Sequence, residues 1–336
     1  MIKEALLYEK LSDDRLCCHL CAHECIIAPS RRGICGVREN RGGALYTLVY
    51  GKVIAENVDP IEKKPFFHVY PGSRSLSIAT VGCNFRCTFC QNYSISQMPR
   101  DEGTIVGNER TPESVVRRAV QDGSRTIAYT YTEPTIFFEF ASDVGSIARE
   151  NGIGNVIVSN GFMSQECIEL MPPFLDAANI DLKSFSDNFY RTYCGGRLQP
   201  VLDSLKKLKD LGIWLEITTL IIPGLNDSDA ELRDIAQFVA SLGVETPWHI
   251  SRFHGQYKMS QIPSTPRATL HRAWNIGKEA GLKYVYRGNI PGDGGEDTFC
   301  SFCGYLLIER HGFTVNRIDL KGGFCPQCGT PLDGIL

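Results

Sequence analysis

The chain has 336 residues, 43% of them apolar and 22% charged, with a formal net charge of −3. Those values exclude a disordered or collagen-like chain, and the balance of charge gives no basic field for general nucleic-acid binding. No apolar run approaches the ~18 residues of a membrane helix, and the opening MIKEALLYEKLSDD lacks the apolar core of a signal peptide, so a cytoplasmic protein without a membrane partner is expected.

A reducing compartment decides how the 14 cysteines are read: clustered at short spacing, they point to metal before disulfide. The first cluster lies in a head segment, residues 1–67, and comprises Cys17, Cys18, Cys21, Cys25 and Cys35. Cys18, Cys21, Cys25 and Cys35 make a closed set of four with Cys17 spare, although a shift to Cys17 satisfies the spacing equally. A structural metal and an auxiliary iron–sulfur cluster are both open there. Arg31, Arg32, Arg38 and Arg41 offer charge for an anionic partner, but a solvated loop face is the plainer expectation. A β-like run, ALYTLVYGKVIAENVDP, closes the head.

From residue 68 to 288 β-rich runs alternate with helical patterns. The strand candidates are SLSIATV, RTIAYTY, GNVIVSN, AANIDLK, WLEITTLII, WHISRF and KYVYR. Thr111-Pro112-Glu113 supplies an N-cap with proline at the first helical position. Ser228 and Glu231 form a capping-box pattern, and Thr265-Pro266 opens a helix that closes on Gly281. Alternation repeated about six times calls for a parallel sheet, open or closed into a barrel. In such folds chemistry gathers at the carboxyl ends of strands, where CNFRCTFC, YTEP, SNG, DLK, IPGLND and RFHG fall.

The run CNFRCTFC places Cys83, Cys87 and Cys90 within eight residues, with no fourth cysteine nearby. All-cysteine centres ordinarily use four thiolates. A four-iron cluster held by three leaves one iron open to an outside ligand. A zinc site completed by a distant His or Cys is the structural alternative.

CxxxCxxC after a first strand resembles the radical S-adenosylmethionine superfamily, in which the open iron of a [4Fe–4S] cluster is chelated by S-adenosylmethionine. The resemblance implies a partial (β/α)6 TIM-like barrel. It also implies reductive cleavage of the sulfonium to a 5′-deoxyadenosyl radical that abstracts hydrogen from a substrate. Details are closest to the activating enzymes of pyruvate formate-lyase. By that likeness Cys83, Cys87 and Cys90 are the catalytic cluster ligands, and the Phe89 backbone meets the adenine. Glu133 takes the methionine ammonium, although Tyr131 and Thr132 replace the usual paired glycines. Ser159 and Asn160 face the ribose and carboxylate, Asp181 and Lys183 match a DLK tripeptide whose lysine reaches the carboxylate, and His254 lies near the ribose. Val158 stands where the activating enzymes carry an aspartate for a monovalent cation, which puts that cation in doubt. CQNYSIS also departs from their loop, and no eight-cysteine ferredoxin insert follows.

The tail, residues 289–336, begins with a glycine-rich linker and carries Cys300, Cys303, Cys325 and Cys328, two CxxCG knuckles separated by 21 residues. Four thiolates there suit a zinc ribbon or a rubredoxin-like iron site, and a metal would let so short a segment fold. Cys167 and Cys194 read as buried apolar side chains. Head, CGVREN, core and tail together resemble the radical enzyme of the AmmeMemoRadiSam system, which implies AMMECR-like and Memo-like proteins as partners besides a flavodoxin or ferredoxin electron donor. The competing readings are a glycyl-radical-enzyme activase and a non-catalytic iron–sulfur or zinc carrier or scaffold.

Overall fold

The computed structural model describes residues 2–290 and 292–336. Its centre is an eight-stranded sheet in the order Val285–Gly288, Trp248–Arg252, Trp214–Ile221, Ala177–Asp181, Gly154–Ser159, Thr126–Tyr129, Arg74–Ala79, Ala55–Pro60. Every neighbouring pair is parallel except the last, where Ala55–Pro60 lies antiparallel to Arg74–Ala79. Helices Pro112–Gln121, Phe138–Glu150, Gln165–Glu169, Leu198–Asp210, Asp229–Ser241 and Arg267–Glu279 fill the six crossovers between parallel strands. Six strand–helix units thus precede a final strand, as the alternation predicts. The two edge strands do not pair with each other, so the barrel is partial. Its antiparallel edge comes from the β-like run inside residues 1–67, so the head contributes a strand to the core sheet.

Local chemistry explains the helix starts, with two departures. Thr111 caps Pro112–Gln121 through a reciprocal bond pair with Ser114. Ser228 accepts from the Glu231 backbone at 3.3 Å, but the Glu231 carboxylate leaves its capping box to bind the Ser184 hydroxyl and the Phe185 N–H. Thr265 does not cap its helix; its hydroxyl accepts from Phe253 N–H and donates to the Ile221 carbonyl, pinning two strand ends together.

The cysteine-bearing part of the head and the tail sit at opposite ends of the sheet. The head meets loops that follow the strands: His23 bonds the Asn84 carbonyl at 2.9 Å, and the Ser164 N–H reaches the Leu20 carbonyl. The tail, a three-stranded sheet of Thr298–Phe299, Leu306–His311 and Thr314–Ile318, covers the other end. There Arg310 pairs with Glu62, both fully buried. His68, also fully buried, bonds the Asp333 carbonyl and the Tyr286 hydroxyl at 2.6 Å each. None of the helices among the described residues is long and apolar enough to cross a membrane.

Candidate active site

A cavity of about 480 Å³ runs inside the partial barrel, within the size range of small-molecule sites. Side chains two apart share a face, and the lining takes such pairs from two strand ends, Asp181 with Lys183 and Thr218 with Leu220; at three others it takes consecutive residues, from Thr130 to Glu133, Val158 to Asn160 and His249 to Ser251.

Cys83, Cys87 and Cys90 all open onto this cavity. Gly82 sets the loop: at φ +106 it takes a backbone conformation that favours glycine, and a Cβ there would lie 2.8 Å from Val37 Cγ1. Backbone bonds from Arg86 and Thr88 to the Cys194 and Tyr193 carbonyls hold the rest, at 2.8 and 2.9 Å. The Arg100 guanidinium donates to the Cys83 and Phe85 carbonyls.

The sulfurs are already met by donors: Phe85 N–H lies 3.3 Å from Cys83 Sγ, and Ser96 Oγ lies 3.4 Å from Cys90 Sγ. Cys87 is held below its ordinary thiol value, first by a hydrogen bond with Cys194 and then, against the opposing effect of burial, by the positive charge of Lys183. Cys194 is fully buried, as expected, but its position behind Cys87 was not legible in the sequence.

A zinc–thiolate bond near 2.3 Å puts sulfurs about 3.8 Å apart in a tetrahedron. The tail meets that geometry, with Cys300 Sγ to Cys328 Sγ at 3.5 Å and Cys303 Sγ to Cys325 Sγ at 3.7 Å. Each tail knuckle turns on its glycine, Gly304 at φ +74 and Gly329 at φ +75. Among the described residues, the only other set with three or more ligand atoms mutually within 4.8 Å is Glu9, Cys17 and His19, of which Glu9 is exposed and the others half-buried. The thiols of the Cys83 loop are thus not gathered as tightly as the tail four, and no fourth cysteine lines their cavity among the described residues. Three spread thiols around one space fit a cluster with an open corner better than a closed zinc site.

Opposite the loop, Glu133 is almost fully buried. Its carboxylate accepts from Thr135 N–H at 3.0 Å, Thr135 Oγ1 at 2.6 Å, Ser159 Oγ at 2.7 Å and Asn160 N–H at 2.8 Å. Burial pushes this carboxyl up from its ordinary value, against those donors. Asn160 also donates to Asn84 Oδ1 at 2.7 Å, tying the carboxylate to the cysteine loop. Lys183 Nζ lies 2.7 Å from Asp181 Oδ2 and 5.9 Å from the Phe89 ring centroid. Burial alone would lower this lysine, but Asp181 and the nearby thiols hold it well above its ordinary value.

Phe89, Glu133, Ser159, Asn160, Asp181 and Lys183 thus line one cavity with the three cysteines. His254 does not join them: it is exposed and bonds Ser264 Oγ at 2.9 Å. The strand end that carries it turns outward after Ser251. The histidine that does line the cavity is His249, locked to Glu216 at 2.6 Å. Its signal was the polar alternation His249, Ser251 within WHISRF.

Tyr131, in place of a glycine, sits at φ +63, a strained value for a bulky residue. Its hydroxyl donates to Asp59 at 2.6 Å, and its ring lies 4.2 Å from Lys64 Nζ. Lys64, which sequence reasoning missed, is nearly fully buried against Asp59; burial brings it down to about 8, opposed by that carboxylate.

In the head, strand pleat separates the two adjacent cysteines. Leu16 and Cys18 are buried with Cys25 opposite Cys18, whereas Cys17 faces outward opposite the exposed Ile26.

A family model described as the Radical SAM superfamily matches residues 77–239. An uncharacterized protein of Methanocaldococcus jannaschii is 48% identical over 100% of both chains. The pyruvate formate-lyase-activating enzyme of Streptococcus mutans is 24% identical over 57% of this chain and 76% of its own. Streptococcus suis SuiB, solved with bound S-adenosylmethionine, shares the fold at a TM-score of 0.51 and 14% identity, over 68% of this chain and 56% of that one.

Proposed function

The chain belongs to the radical SAM superfamily and is an enzyme, and from that premise we propose that it cleaves S-adenosylmethionine in the barrel cavity to take a hydrogen atom from a small polar substrate. The observation that carries this reading is one cavity shared by three thiols, the buried Glu133 carboxylate and the Lys183 ammonium.

Cys83, Cys87 and Cys90 would hold the [4Fe–4S] cluster. When bound, that group supplies the single electron that breaks the sulfonium and so yields a 5′-deoxyadenosyl radical. The rest is the work of this chain. Glu133 accepts from the methionine ammonium, and Lys183 offers a point charge to the carboxylate. Phe89 presents backbone to the adenine, and Asn160 and Ser159 orient the carboxylate of Glu133 while facing the ribose. The apolar wall of Val158 and Leu220 limits water beside the reacting carbon. Val158 cannot ligand a cation, so the reading includes no monovalent ion at that position.

A small polar substrate is favoured because the amino end of the cavity is floored by Phe67, Glu296 and Phe313, with Lys64, His249 and Tyr286 presenting polar atoms there. A glycyl-radical activase must admit a protein loop, and a passive carrier has no use for Glu133 and Lys183 beside its cluster. The electron would come from a flavodoxin or ferredoxin, and association with AMMECR-like and Memo-like proteins rests on the whole-chain resemblance. Reduced enzyme incubated with labelled S-adenosylmethionine and a size-fractionated extract tests the reading. Label-dependent product in the small-molecule fraction supports it, product in the protein fraction favours the activase, and no cleavage at all refutes both.

A further inference from the structure

The four inward cysteines of the head carry no part of this chemistry, yet they are built as a ligand set. Cys18 and Cys25 face each other across paired strands, Cys21 sits on a bridge to Met163 and Cys35 in a turn, and Cys18, Cys25 and Cys35 are all electrostatic neighbours of Cys21. Backbone N–H groups lie near three of the sulfurs: His23 by Cys21, Ile34 by Cys25 and Val37 by Cys35. Such donors are what metal-bound thiolates use to spread their charge.

A second observation points to an anionic occupant. Arg38 is only 1% exposed, and its Nη2 bonds Glu139 at 2.5 Å and the Leu6 carbonyl at 2.7 Å. Its Nε and Nη1 have no partner among the described residues, and Cys18 and Cys35 are among its electrostatic neighbours. Unpaired buried guanidinium nitrogens are costly unless something acceptor-rich meets them. Four thiolates around a metal centre leave a net negative charge that a buried cation offsets.

Spacing chooses the centre. None of the four thiols hydrogen-bonds another, whereas the tail thiols pair at 3.5 and 3.7 Å. No three of them come within the mutual 4.8 Å that the tail four satisfy. The head four are thus spread more widely than the tail four, which suits the corners of a cluster better than a single ion.

We propose that Cys18, Cys21, Cys25 and Cys35 hold a second [4Fe–4S] cluster, closed by four thiolates and countered by Arg38. It would sit against the catalytic loop: the Cys35 carbonyl is 3.3 Å from where a Gly82 Cβ would stand, one residue before Cys83. This assignment does not depend on the proposed reaction.

The test begins with full-length chain carrying Cys83→Ala, Cys87→Ala and Cys90→Ala, reconstituted anaerobically with iron and sulfide. The expected content is about four sulfides and four irons per chain beyond any mononuclear tail metal, with a cluster signal in electron paramagnetic resonance after reduction. Sulfide is decisive, because a four-cysteine mononuclear site holds none. Adding Cys18→Ser should remove that signal, and adding Cys17→Ser should leave it. The sulfide count of the triple variant stands even where a further substitution prevents folding. No sulfide, about two sulfides, or zinc in its place overturns the proposal, as does loss of the signal on Cys17→Ser alone.

Discussion

Replacing Glu133 by Gln is the sharpest single perturbation of the proposed binding site, because the structure fixes what the carboxylate does. One oxygen accepts from Thr135 N–H, Thr135 Oγ1 and Ser159 Oγ, and the other from Asn160 N–H. An amide keeps one acceptor oxygen and turns the other position into a donor. If the oxygen stays with the three donors, the new NH2 meets the Asn160 N–H, donor against donor. Losing that buried, charge-assisted bond costs about 1.5–3 kcal/mol of local stability. Losing the charge opposite the methionine ammonium costs binding a similar 1.5–3 kcal/mol, roughly a ten- to hundredfold rise in Kd. Anaerobic calorimetric titration of S-adenosylmethionine into cluster-loaded wild type and variant reads the second effect, and iron and sulfide analysis shows that the loop is still loaded. Wild-type affinity in a fully loaded variant would refute the role given to Glu133.

Lys183→Met should also weaken S-adenosylmethionine binding roughly ten- to hundredfold, with iron content unchanged; an unaltered titration removes Lys183 from the site. Burial lowers His68 from 6.5 to about 4. The unfolded chain therefore binds the extra proton first as pH falls. His68 withdraws about 3 kcal/mol of stability between pH 6.5 and 4, none of it above. Urea unfolding of wild type and His68→Gln across that range should show a steeper acid loss in wild type, and parallel curves contradict this. Cys325→Ser should release one non-cluster metal and expose the tail to protease, since metal binding supplies much of the folding energy of so small a unit; unchanged metal content denies a closed four-thiolate site.

The backbone plan was legible because strand–helix alternation and punctuation by capping residues are local signals. Five of the seven parallel strands lie within the runs that periodicity picks out, and Arg74–Ala79 and Val285–Gly288 overrun theirs by one residue each. The antiparallel edge was not legible as such: AENVDP carries polar residues at Glu56, Asn57 and Asp59, and only pairing with Arg74–Ala79 makes it a core strand. At the site, cysteine spacing and strand-end motifs located nine residues that the fold brings to one cavity. His254 failed because a loop turn, invisible in sequence, carries it outward to Ser264. Lys64 and His249 were missed because their meaning lies in partners far along the chain or across the sheet, Tyr131 and Glu216. Pleat turns Cys18 inward and Cys17 outward, and that needed the register of the head sheet.

The central claim is that Cys83, Cys87 and Cys90 together make the cluster that cleaves S-adenosylmethionine. The direct measurement is 5′-deoxyadenosine formed under dithionite by reconstituted wild type and by the three single alanine variants. Formation in wild type and none above background in each variant is the expected result. Continued 5′-deoxyadenosine formation in any of the three would contradict it.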